Sequence, residues 1–64
     1  MVKDTEVVIE DPEEWIKQND VAHIDGMGEY DIFKANENGV IHAENEDRQI
    51  AVKITHHDVT CFKR

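Results

Sequence analysis

Apolar residues in this chain come in short runs that alternate with polar ones, and the alternation is clearest between Gln49 and Phe62. Ile50, Val52 and Ile54 alternate with Gln49, Ala51, Lys53 and Thr55, the period of a half-buried strand. Val59 to Phe62 resumes the pattern after His56-His57-Asp58. This predicts a closing hairpin folded around the histidines. A two-residue loop sets Ile54 opposite Val59 and Val52 opposite Cys61, the favoured register. A three-residue loop sets Val52 opposite Phe62 and turns Cys61 outward.

Upstream, Thr5 to Glu10 is a strand candidate centred on the triplet Val7-Val8-Ile9, which implies burial on both sides for part of its length. Asp11-Pro12-Glu13-Glu14 marks a helix start: Asp11 as N-cap, Pro12 at the first helical position and Glu14 at the capping-box position. The three acids complement the positive end of the helix dipole. Pro12, Trp15, Ile16 and Asn19 share one side, and the helix should end near Gln18 or Asn19. Two turns are stable only when packed, with Trp15 as the anchor.

Val21–Asp25, Glu29–Ala35 and Val40–Glu44 are three further strands, separated by turns at Gly26-Met27-Gly28 and Asn36-Glu37-Asn38-Gly39. A Gly26–Gly28 loop sets Ile24 beside Tyr30, Ala22 beside Ile32, and His23 opposite Asp31. A Glu37–Gly39 loop sets Ala35 beside Ile41 and Phe33 beside Ala43. Asn45 to Arg48 is a polar turn leading into the closing hairpin. The predicted order is β-α-β-β-β-β-β. That is one α+β domain over residues 1–64, an antiparallel meander of five to six strands with a short N-terminal helix on one face.

Charge changes this picture most. The 15 acids and 7 bases give a net charge of −8. Residues 1–47 hold 14 acids and 3 bases, and residues 48–64 hold 1 acid and 4 bases. So acidic a surface disfavours direct binding to nucleic acid, which draws on Lys and Arg. It favours a basic protein surface, with a nucleic-acid enzyme among the candidates. Solubility alone explains the acidity equally well. Sixty-four residues support only a small core, so self-association, including a homodimer, is a second expectation. Cys61 is the only cysteine, which fits a reducing compartment, and no apolar run is long enough for a signal peptide or membrane span. These features predict a cytoplasmic protein with no membrane partner.

Candidate chemistry is thin. His42, His56, His57 and Cys61 are of the right types for zinc, but their spacing matches no ligand motif, and adjacent histidines on a strand point to opposite faces. His23, Asp31 and Cys61 invite a thiol-nucleophile reading, but nothing places Cys61 near His23. Gly26-Met27-Gly28 lacks the rest of a phosphate loop. Tyr30 and Phe33 alternate to opposite faces, which argues against a base-stacking sheet. The expectation is therefore a non-enzyme with no cofactor, no catalytic residue and no metal ligand. It would be an acidic protein-binding module that inhibits or regulates a basic partner, of a kind with phage inhibitors by analogy of type only. Its expected contacts are Glu10, Asp11, Glu13, Glu14, Glu44, Glu46 and Asp47, carboxylates laid out in the manner of a nucleic-acid backbone. A structural homo-oligomer and a metal or redox site at Cys61 and the histidines are the alternatives.

Overall fold

The computed structural model describes residues 8–64. It is an α+β fold with one short helix, α1 (Pro12–Gln18), and five strands: β1 (Val21–Ile24), β2 (Gly28–Ala35), β3 (Val40–Glu44), β4 (Gln49–Lys53) and β5 (Val59–Phe62). The strands form one antiparallel sheet in the order β4-β3-β2-β1-β5, curled into a half-barrel.

The helix begins as its sequence demands. Asp11 accepts the Glu14 amide at 3.3 Å, and Pro12 opens the first turn. Glu14 does not complete a reciprocal capping box; its carboxylate instead takes Gln18 Nε2 at 3.3 Å and lies 4.0 Å from Lys17 Nζ. At the other end Asn19 Nδ2 donates to the Trp15 carbonyl (3.1 Å). Trp15 and Ile16 pack against the core from the inner side of the sheet, where α1 lies along β2.

Ala22 and Ile24 of β1, Tyr30 and Ile32 of β2, and Ile41 and Ala43 of β3 form the buried centre. Burying a side chain such as Ile41, fully enclosed here, contributes about 1.5–3 kcal/mol. Ile50 and Val52 of β4, with Val59 and Cys61 of β5, extend the same inner face and are only half-buried.

Several expectations need correction. The strand proposed for Thr5–Glu10 falls partly on residues 5–7, outside the described residues, and Val8 to Glu10 are not in a strand. Ile9 is buried at 3 % and its N–H donates to the Glu37 carbonyl (3.0 Å), but Val8 faces outward at 65 % exposure. The first hairpin turns at Asp25–Met27, with Gly28 opposite Ile24. His23 therefore faces Glu29, not Asp31, and Ala22 faces Tyr30, not Ile32. A positive φ of 106° lets Gly28 open the strand immediately after the turn.

The second hairpin pairs Ala35 with Ile41 as expected, but Ala43 meets Ile32 instead of Phe33. A bulge at Phe33 causes the change. In a regular strand Tyr30 and Ile32 would share a face with Lys34. One extra residue lets Tyr30, Ile32 and Ala35 all face inward and leaves Phe33 and Lys34 outside. Phe33 then lies exposed beside His42, ring centroids 6.2 Å apart.

The largest correction concerns the closing hairpin. β4 and β5 do not pair; β5 pairs with β1, through Val21–Phe62, Ala22–Cys61, His23–Thr60 and Ile24–Val59. In the order β4-β3-β2-β1-β5, antiparallel throughout, the two edge strands run in the same direction. No tight turn can join such strands. Residues 54–58 instead run back from the end of the sheet where β4 stops to the end where β5 starts. Ile54 N–H anchors one end on the Gly39 carbonyl (2.9 Å), and the Asp58 carbonyl anchors the other on Asp25 N–H (2.9 Å).

Candidate protein-binding surface

The seven carboxylates singled out by sequence fall into two groups at opposite ends of the sheet. Glu10, Asp11, Glu13 and Glu14 sit where the chain enters α1, and Ile9 ties that segment to the β2–β3 turn. Glu44, Glu46 and Asp47 sit at the far end of β3, in and beside the β3–β4 turn. The five residues of β3 separate the groups by roughly 13 Å along the strand alone. They do not form one continuous acidic strip.

At the helix start, Glu10, Asp11 and Glu14 line an open groove of about 340 Å³ together with Val8, Ile9, Trp15 and Gln18. Trp15 is half-buried, supported by the core on one side and reachable from the groove on the other. The arrangement combines an apolar wall with carboxylates at its rim. That chemistry matches a lysine or arginine side chain, whose stem packs on apolar surface while its head stays paired with acid.

At the other end the Asn45 carboxamide oxygen accepts the amides of Asp47 (2.7 Å) and Arg48 (3.0 Å), which fixes the β3–β4 turn. Gln49 Nε2 holds Glu44 at 3.3 Å. Asp47 and Arg48 border a smaller polar depression of about 240 Å³, with Gly26, Met27, Tyr30 and Asn45. Met27 stands exposed at the tip of the β1–β2 turn.

Folding also redistributes the charge along the chain. Lys63 Nζ lies 3.7 Å from Asp20, and Arg64 Nη2 lies 3.5 Å from Glu29 and 3.3 Å from Asp31. The basic end of the sequence thus offsets Asp20, just before β1, and Glu29 and Asp31 on the outer face of β2. The Arg64 amide donates to Asp20 Oδ1 at 2.8 Å and is the main reason the Asp20 carboxyl sits below its ordinary pKa; the Lys63 and Arg64 charges add to it.

The thiol-nucleophile grouping does not assemble. Cys61 faces inward opposite Ala22, whereas His23 faces outward between Glu29 and Thr60. Burial pushes the Cys61 thiol up, away from the reactive thiolate. His42 lies on the outer face of β3, with Nε2 3.5 Å from Asn36 Nδ2, and is not near Cys61 either. His56 and His57, by contrast, come together in the β4–β5 connection. Sequence reasoning placed them in a turn but gave no indication that their rings meet.

With one helix and a curled five-stranded sheet, the class of the molecule is a small α+β half-barrel. Neither a known protein family, nor a curated protein, nor a solved structure matches the chain. Among the described residues, no helix is long and apolar enough to cross a membrane.

Proposed function

We propose that this chain is a small acidic protein-binding module, not an enzyme, which inhibits or regulates a partner with a basic surface. The observation that carries the reading is the groove beside Trp15. It sets three of the expected contacts, Glu10, Asp11 and Glu14, around the chain's one tryptophan. An aromatic anchor with a charged rim around it is the layout of a protein-binding patch. A nucleic-acid enzyme is one partner of this kind. The separation of the two acidic groups favours a basic segment seated at the helix start over a long cleft that takes the whole molecule as a backbone mimic.

The test is binding to a lysine- and arginine-rich peptide and to basic proteins of the host, measured across a salt series. Glu10→Gln combined with Glu13→Gln and Glu14→Gln should weaken binding about tenfold or more and flatten its salt dependence. Neutralising Glu44, Glu46 and Asp47 should have the smaller effect. Salt-indifferent binding, or equal losses from the two sets, would count against the assignment.

A homodimer is the second reading. It is favoured by the two sheet edges, β4 and β5, whose inner residues Ile50, Val52, Val59 and Cys61 stay only half-buried. Sedimentation at micromolar concentration decides it, and a strict monomer rejects it.

A further inference from the structure

The connection between β4 and β5 holds a group of side chains that the acidic surface does not use. His56, His57 and Asp58 follow one another in a turn. His56 N–H donates to the Lys53 carbonyl and Val59 N–H donates to the His56 carbonyl, each at 3.0 Å. Neighbouring histidines on a strand would face opposite ways; here the turn lays their rings side by side. The ring centroids are 4.6 Å apart and the planes 17° from parallel. Both rings are exposed. His57 Nε2 lies 3.4 Å from Asp58 Oδ1. One donor atom from each of the three residues lies within 4.8 Å of the others.

Two ligands of a tetrahedral zinc ion, each about 2.0–2.1 Å from the metal, stand roughly 3.4 Å apart. The His57–Asp58 pair already has that spacing, and a rotation of the exposed His56 ring completes the set. The ligand types also fit: imidazole and carboxylate suit a borderline divalent ion. Asp25, whose amide bonds the Asp58 carbonyl, adds negative charge at the same end of the sheet. We propose that His56, His57 and Asp58 form a surface site for a divalent transition metal of the zinc class. It leaves a fourth position open to water or to a group from another molecule.

Metal uptake must disturb one hydrogen bond. The Asp58 amide donates to His56 Nδ1 at 3.1 Å, which puts the proton of a neutral His56 ring on Nε2. Coordination through Nδ1 replaces the amide contact. Coordination through Nε2 moves the proton to Nδ1 and turns an acceptor into a donor. On either route the Asp58 amide loses its partner, so that amide reports occupancy independently of the rings.

The experiment is a zinc titration of the full chain followed by nuclear magnetic resonance. The expected result is a saturable one-to-one transition in the ring signals of His56 and His57 and in the Asp58 amide, with His23 and His42 unmoved as controls within the same molecule. His57→Asn and Asp58→Asn should each weaken binding at least about tenfold, whereas Cys61→Ser should leave it unchanged. Asp58→Asn keeps the backbone contacts of the turn, so its loss of binding is not a loss of fold. The site is refuted by the lack of a saturable shift, by all four histidines shifting together, by dependence on Cys61, or by indifference to both loop substitutions.

Discussion

Asp20 shows how much one exposed side chain can organise. It follows α1 and precedes β1, and its carboxylate takes the Arg64 amide and faces Lys63, so it fastens the residues trailing β5 to the junction between α1 and β1. Its pKa is lowered on folding, so the proton prefers the unfolded chain. The stability it adds is therefore present above the unfolded pKa near 3.8 and is lost as pH falls through the lower folded value. Asp20→Asn should be less stable than the parent at pH 7 and should lose less stability in acid, as read by urea midpoints between pH 7 and pH 2. Asp11 is the second such residue. Replacing this N-cap by Ala should cost about 1 kcal/mol, visible as a lower thermal midpoint, because the Glu14 amide loses its acceptor. Cys61 should alkylate slowly under native conditions, since burial keeps its thiol protonated.

Elements built from local signals were legible in the sequence. The helix runs from Pro12 to Gln18 because Asp11, Pro12 and Glu14 specify its start, and β3 runs from Val40 to Glu44 because Asn36–Gly39 and Asn45–Arg48 bound it. What failed was the register of the local hairpins and one long-range pairing. The two proposed hairpins required Tyr30 and Ile32 on the core from one side, and Phe33 and Ala35 from the other. Period two cannot satisfy both, and that conflict was the trace of the bulge. The closing hairpin failed for a different reason. The weak turn at His56-His57-Asp58 was a warning, but the competing partner, β1, lay outside the local window. The position of the candidate carboxylates at the helix start was legible for the same reason as the helix itself, whereas their separation from Glu44, Glu46 and Asp47 depends on strand direction. At this scale, amides of β1 and β2 at the centre of the sheet should exchange most slowly, and the outward amides of β4 and β5 quickly, in hydrogen-exchange measurements. Ile41→Ala, on β3 opposite Val52, should cost about 2–5 kcal/mol and leave so small a domain largely unfolded on warming.

For the whole molecule, charge and closure set the behaviour. Net charge of −8 holds copies apart at low salt. If the half-buried margins of β4 and β5 do associate, sedimentation should show dimer rising with ionic strength, opposite to the trend expected for binding a basic partner. The pairing of β5 with β1 has its own consequence. His23 meets Thr60, 37 positions later, so the ladder with the longest range is also, among the four described, the last to be synthesised. Until Val59 to Phe62 emerge, β1 has a neighbour on one side only, and Val21, fully enclosed in the finished fold between Asp31 and Phe62, stays wet. Loop closure over that span costs entropy before any contact repays it, so this ladder should slow folding beyond what the local hairpins alone require. A nascent chain held at Asp58 should therefore remain open to proteases, and release of the next few residues should be the event that seals it.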